Sequence, residues 1–371
     1  MWKSPFSPSA SKPGHGKINI SILPPQTPVL HELAYQYPLK LIAPDPVPPT
    51  QSHRPAADTK GSPFSSDAND TNPPSLIHTV FLLTYGGGIV AGDTVDLHVT
   101  LAPRTRLNLL TQGSTKVFKT PDPKLLSYQN MNVDLYSGAA LLYLPDPVQP
   151  FKDAAFRQGN RYSFCGWEDA KGSEGYNLCA CDWVSSGRAA RGENWDFWSY
   201  ESRNEIWGMP DPSASMGTEK KRLLLRDNLL LHPPLLPKAP AQPRGKEYGI
   251  FGTLILHGGV FEGLGKWFLD EFEGLPRLGA YARSWNTYGD SSNGVTNGDD
   301  SPSMREKWRT ERQTREVRDG LMWSAAKVRG FVIVKFAARE VEGARSWLRD
   351  MIVTEGSVVR GFGERGVLCL K

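Results

Sequence analysis

From Asp93 to Leu101 the chain alternates polar and apolar residues: Val95, Leu97, Val99 and Leu101 face one way, Asp96, His98 and Thr100 the other. A side-chain period of two belongs to a pleated strand with one buried face; a helix, with a period of about 3.6, cannot gather these residues onto one stripe. This decides the meaning of the segment before it, Tyr85-Gly86-Gly87-Gly88-Ile89-Val90-Ala91-Gly92. Gly86–Ala91 fits the G-x-G-x-x-A dinucleotide fingerprint, but that fingerprint needs a helix immediately after it, because the pyrophosphate rests on the helix N-terminus. A strand follows instead. The glycines therefore read as a turn between strands whose backbones approach closely. A nucleotide-dependent oxidoreductase using the Gly86–Ala91 loop is the alternative, and the missing helix argues against it.

Other short strands continue the pattern. Lys17–Leu23 alternates, Leu39–Ile42 is short and apolar, and Ile77–Tyr85 is a buried run. Leu107–Thr111, Tyr128–Leu135 and Ala139–Leu144 follow, with turns at Ala102-Pro103-Arg104 and Ser137-Gly138. Strands at this spacing with no helices between them predict antiparallel or solenoidal β-structure. Farther on, Cys179–Val184, Trp195–Trp207, Lys221–Leu231 (with a turn near Asp227-Asn228), Tyr248–Leu256 and Phe331–Ala337 are strand candidates. Trp267–Glu273 suggests a short helix. Val341, Ala344, Leu348 and Ile352 recur at helical spacing within Glu340–Ile352.

Gly (36) and Pro (30) are abundant enough to require many turns and loops, while 11 Trp argue against global disorder. The expected organisation is a flexible arm over 1–16 and one domain over 17–371, with disordered inserts near 44–74, 208–220, 233–246 and 286–315. The Arg305–Arg318 run, where bases alternate with Glu, reads as a solvated helix face or a mobile insert. A net charge of +4 on 371 residues gives no footprint for nucleic acid. No signal-like apolar run follows Met1 and no apolar stretch reaches about 18 residues, so a cytoplasmic protein without a membrane span is expected.

Catalytic and metal motifs are sparse. Gln112-Gly113-Ser114-Thr115-Lys116 lacks the second glycine of a phosphate loop. Cys179 and Cys181 have no second cysteine pair or histidine pair beside them and read as core thiols. The seven histidines form no H-x-x-x-H pair, and His78 and His98 read as isolated side chains rather than ligands.

Three ordered segments carry a resemblance: Tyr85–Asp93, Leu110–Lys119, and Leu144-Pro145-Asp146-Pro147 with Pro150-Phe151. Together with Asp182, Gly187-Arg188, Gly192-Glu193, Gly252-Thr253-Leu254 and the closing strand–helix unit, they resemble the UreD/UreH family of urease accessory proteins, in a fungal-type member with long inserts. The resemblance implies a mainly β fold, a two-layered, helically wound sheet arrangement with a few helices. It implies no catalytic activity and no tightly bound cofactor, with nickel in transit. It implies UreF-like and UreG-like accessory proteins and apo-urease as partners. Its signature positions here are Gly86, Gly87, Gly88, Gly92, Thr111, Gln112, Gly113, Lys116, Pro145, Phe151 and Arg188. Its acidic positions Asp93, Asp182 and Glu193 are the expected nickel-transit residues; the plainer reading has Asp93 capping a turn and Glu193 pairing with Arg188. Thr111, Gln112 and Lys116 are expected to fix the neighbouring glycine turn by side-chain hydrogen bonds, with the 86–93 and 111–116 turns lying together. A bare β-rich interaction module without metal traffic is a further alternative.

Overall fold

The computed structural model describes residues 12–49, 76–167, 175–210, 221–232, 248–275 and 303–371. The strands among them are β1 (His15–Leu23), β2 (Thr27–Tyr35), β3 (Leu39–Ile42), β4 (Ile77–Thr84), β5 (Gly88–Ile89), β6 (Thr94–Leu101), β7 (Arg106–Thr111), β8 (Thr115–Val117) and β9 (Ser127–Leu135). They continue with β10 (Ala140–Tyr143), β11 (Val148–Pro150), β12 (Ala155–Cys165), β13 (Asn177–Ser185), β14 (Ser199–Met209), β15 (Arg222–Leu231), β16 (Ile250–His257), β17 (Met322–Val328) and β18 (Phe331–Ala338). The helices are α1 (Glu262–Glu273), α2 (Met304–Asp319), α3 (Val341–Glu355) and α4 (Ser357–Phe362).

From β4 to β14 the long strands land alternately on two sheets. The first sheet has the order β15-β14-β12-β9-β6-β1-β2, the second β17-β18-β16-β13-β10-β7-β4-β3. Within the winding the pairs β4·β7, β7·β10 and β10·β13 are parallel, as are β6·β9, β9·β12 and β12·β14. Parallel neighbours need a crossover between them, and here a strand of the opposite sheet serves as that crossover. Antiparallel strands close each end of the stacks: β2 and β15 on the first sheet, β3 and β16-β18-β17 on the second.

Burial explains the two kinds of strand sequence. The first sheet packs its inner face on the second and leaves its outer face wet, so β6 alternates, with Val95, Leu97, Val99 and Leu101 inside. The second sheet is covered on both faces, by the first sheet and by α1, α3 and α4; all nine residues of β13 are buried. Strands buried on both sides have no wet face to mark and lose their alternation. Helix α3 places Ala344, Trp347, Leu348, Met351 and Ile352 against the second sheet.

The mainly β, two-layered, wound arrangement with few helices is the architecture expected. Several local expectations change. The winding is parallel, so the solenoidal option holds and the antiparallel one is confined to the ends. Strand β15 runs through Asp227-Asn228 without a turn, pairing with β14 along its length apart from a bulge at Ile206/Trp207. The 195–207 strand starts only at Ser199, and β1 begins at His15, inside the expected arm. Residues 303–315 of the last expected insert form most of α2, which opens with a Ser303/Glu306 capping box and ends at Gly320 in the left-handed region. The run is not simply solvated: Arg312 is buried, and Glu271 on α1 is paired with Arg305, Arg309 and Arg312. The remaining insert segments, 50–74, 211–220, 233–246 and 286–302, lie outside the described residues, as do positions 1–11 of the arm.

Candidate functional site

The three ordered signature segments and the Gly187–Glu193 elements lie on one edge, because they occupy the connections that leave the C-terminal ends of parallel strands of the second sheet. These connections are 85–93 after β4, 112–126 after β7, 144–154 after β10 and 186–198 after β13. Strands β5, β8 and β11 stack there in a small parallel ladder, Gly88↔Lys116↔Gln149, that reaches β13 at Val148↔Val184. The glycine turn and the 111–116 turn are therefore neighbours, as expected. No helix follows Ala91: β6 begins at Thr94, which removes the seat a dinucleotide needs. Gly86 and Gly87 both have φ of 76°, with open space where a Cβ would stand, so their requirement is conformational. Gly88 is required by packing instead, since a Cβ there would lie 2.6 Å from the Lys116 carbonyl oxygen.

The polar signature residues at this rim are largely committed to local structure. Thr111 Oγ1 donates to Asp146 Oδ2 (3.1 Å) and accepts from the Asp146 amide (2.7 Å); the Gly113 amide donates to the same carboxylate (2.9 Å), and Arg345 Nη2 reaches Asp146 Oδ1 at 3.0 Å. Thr111 thus ties one coil to the next and to α3, rather than to the glycine turn. Gln112 and Lys116 are exposed and make no side-chain hydrogen bond to that turn. Pro145 offers its carbonyl to Trp183 Nε1 (2.8 Å). Phe151 packs edge-on to Phe118 (5.4 Å), with the Arg188 guanidinium 3.9 Å from its ring centroid. Gly92 lies in the left-handed region (φ 83°) beside Asp93, whose carboxylate accepts from the Val90 amide (3.1 Å) and closes the turn. Glu193 accepts from Arg188 Nε (2.9 Å), from Arg188 Nη2, and from the Arg188 amide (3.1 Å); these bonds hold its carboxyl below the usual range despite some desolvation.

Asp182 sits elsewhere. It points from the middle of β13 into the space between the sheets, 8% exposed, while Cys179 and Cys181 point the opposite way, toward the helices. Its Oδ1 accepts from Gln158 Nε2 (3.0 Å) and Tyr200 OH (3.5 Å), and its Oδ2 from Asn204 Nδ2 (2.6 Å) and Ser202 Oγ. Burial pushes its pKa up, the bonds from Ser202, Asn204 and Gln158 partly counter that, and the charge of Asp227 adds to the rise. The surrounding side chains come from core positions of the first sheet. Register places Gln129, Gln158 and Ser202 in one row and Asn160 and Asn204 in the next. Four buried atoms in this patch have no hydrogen-bond partner: Gln129 Oε1, Gln158 Oε1, Asn160 Oδ1 and Tyr162 OH. An unpaired buried polar atom costs about 1–3 kcal/mol, so several in one patch need an explanation.

The three expected transit carboxylates are therefore not brought together: Asp93 and Glu193 are at the rim and Asp182 is inside. Among the described residues no group of three or more His, Cys, Asp and Glu is placed to hold a metal. The amides around Asp182 escaped sequence reading, although their signal is present: Gln158 and Asn160 share strand parity with Phe156, Tyr162 and Phe164. No described helix is long and apolar enough to cross a membrane.

The family model described as UreD urease accessory protein matches residues 14–360. "Urease accessory protein 4" of Cryptococcus neoformans var. grubii is 28% identical across 95% of this chain and 93% of its own length. A ureD-like urease accessory protein of Schizosaccharomyces pombe is 29% identical across 72% of this chain and 79% of its own. UreD of Sorangium cellulosum is 32% identical across 53% and 51%. The match spans every coil of both sheets and all the segments stacked at the rim, and the chain belongs to the UreD family of urease accessory proteins.

Proposed function

We propose that this chain acts in urease maturation as a non-catalytic scaffold that binds UreF-like and UreG-like accessory proteins and apo-urease and assists nickel delivery to the urease active site. The observation that carries the nickel step is the polar patch around Asp182. It offers one carboxylate and several amide and hydroxyl oxygens, four of its polar atoms lack partners, and the nearest thiols face away. Imidazole and thiolate bind nickel tightly, whereas carbonyl, carboxylate and water oxygens hold it loosely, so an oxygen-lined passage favours transit over storage. A divalent ion beside Asp182 would also keep the buried carboxylate ionised, against the desolvation that now raises its pKa. Nickel here is cargo, held in passing.

The test is co-expression of urease and its accessory proteins with this chain, as wild type or as Asp182→Asn. The expected result is an intact complex by gel filtration, with lower urease activity and less nickel per urease. Normal nickel content with Asp182→Asn would remove Asp182 from the route. Normal urease activity after deletion of the whole chain would remove the maturation role.

A further inference from the structure

The main path of each sheet ends in strands with one edge unpaired among the described residues: β2 and β15 on the first sheet, β3 and β17 on the second. An open edge offers its backbone N–H and C=O groups to any chain that can pair with it, and proteins guard such edges with Pro, charge, bulges or shortness. Three of these edges are guarded. Strand β2 carries Pro28 and a bulge at His31, where its register against β1 slips. Strand β15 carries Arg222, Arg226 and Asp227 and a bulge at Leu224. Strand β3 has four residues and lies between Pro38 and Pro44. Strand β17 has no such device beyond Lys327: its seven residues pair with β18 without a break and include no Pro. Trp323 and Ala325 are buried against the helices, and Lys327 shares their face. Met322, Ser324, Ala326 and Val328 share the opposite face and are all exposed, Met322 at 57% and Val328 at 39%. The first sheet ends at β15 and leaves these four uncovered.

We propose that β17 is a self-association edge, on which a second copy of this chain adds its own β17 antiparallel around a two-fold axis at Ala325. The strand's own sequence selects that occupant. An axis at Ala325 overlaps all seven residues and sets Met322 opposite Val328 and Ser324 opposite Ala326 on the exposed face. Apolar meets apolar at both ends, and small meets small between them. On the helix face Ala325 meets its own copy and Lys327 faces Trp323, so the strand's one cation does not oppose itself. Like charges directly opposite would destabilise the pair, whereas apolar cross-strand pairs favour it. The contact is isologous, so it closes at two copies instead of growing into a fibre, and it joins the second sheets of both copies into one. A single seven-residue seam is smaller than the roughly 800 Å² per partner of a standard interface, so the dimer is weak and concentration-dependent. The pairing does not rest on the maturation role.

Sedimentation velocity of the full chain at about 1 and 50 µM, a range suited to a weak dimer, reads the association. Wild type should move from monomer toward dimer as concentration rises. Ser324→Glu with Ala326→Glu sets like charges opposite each other twice and should weaken the dimer at least tenfold. Ser324→Glu with Ala326→Lys changes the same two exposed positions but sets Glu opposite Lys, and should dimerise at least as well as wild type. Only antiparallel pairing in this register gives that crossed result. Should the double-Glu variant fail to fold by circular dichroism, hydrogen exchange of the wild type replaces it, with the amides of 322–328 expected to gain protection between the two concentrations. A wild type that stays monomeric, a double-Glu variant that dimerises like wild type, a Glu/Lys variant that does not dimerise, or protection that ignores concentration each overturns the proposal. Protection of 322–328 that appears only when another protein is added overturns it in favour of a strand from a different partner.

Discussion

Asp182→Asn and Asp182→Ala should differ sharply in stability. Four donors converge on this carboxylate, from Gln158, Ser202, Asn204 and Tyr200. Alanine leaves the Gln158, Ser202 and Asn204 groups without their acceptor. Each orphaned buried group costs about 1–3 kcal/mol. Hydroxyl rotation and the relief of burying a charge recover part of that, so a net loss of about 2–4 kcal/mol is expected. Asparagine can be accommodated. With its new amide nitrogen in the place of Oδ1, the Tyr200 hydroxyl can turn to accept, and a flip of the Gln158 amide presents Gln158 Oε1, which is now unpartnered. The change should stay within about 1 kcal/mol. The pH dependence has a definite sign. Because the folded pKa is raised above the ordinary 3.8, the folded state holds this proton more tightly than the unfolded chain does. The ionised group therefore takes stability away as pH rises from the unfolded value through the raised folded value, and Asp182→Asn should gain on wild type over that window. Urea unfolding followed by tryptophan fluorescence between pH 4 and 8 reads both effects. An asparagine variant as unstable as the alanine one, or a wild type that gains on it toward neutral pH, would refute the reasoning.

Three further outcomes follow from other sites. Glu271→Gln should lose about 1–3 kcal/mol, since it removes the charge that three arginines share while the buried Arg312 keeps Glu316 as its ion-pair partner; burial would raise the Glu271 pKa, but hydrogen bonds from Arg309 and Arg305 and the charges of Arg309 and Arg312 bring it to about 2. Its stabilisation is present above the ordinary carboxylate value and fades as pH falls toward 2, which acid titration followed by circular dichroism will show. Gly252→Ala should destabilise by about 1–3 kcal/mol, because the new Cβ would lie 2.2 Å from the Phe336 ring, and Phe336→Leu should recover part of the loss; Gly87→Ala, with open space around it, should cost only the strain of its positive φ, about 1–2 kcal/mol in thermal unfolding. The hydrogen bond to Asp134 raises the His98 pKa, so histidine NMR should show it titrating above 6.5 and dropping with Asp134→Asn; the small stabilisation from this half-exposed pair is present at low pH and is lost as pH rises through the folded value.

Strand β6 was legible because one face is wet and one dry, and strict alternation has no other reading. Strand β12 was not, because Gln158 and Asn160 occupy core positions between Phe156 and Tyr162 and hide the period. The two amides that mark the polar patch are thus the residues that concealed the strand carrying them. Helix α2 was obscured for a related reason: its Arg and Glu residues resemble a wet surface, but Glu271 on α1 draws Arg312 into the interior, and composition carries no information about a partner 41 residues away. Of the acidic positions, Asp182 came from resemblance alone. Its distinction from Asp93 and Glu193 depends on β13 being covered on both sides, which is a property of the assembled sheets.

The winding also determines where such a chain can change length. A coil is held in register by the coils above and below, so residues added inside one would displace every pair beyond it. The segments 50–75, 211–220, 233–247 and 276–302 all join elements outside the wound turns: β3 to β4, β14 to β15, β15 to β16 and α1 to α2. Only 168–174 interrupts the spiral itself, between β12 and β13. Lineages can therefore lengthen or trim this protein at its hems while the spool in the middle keeps its thread count.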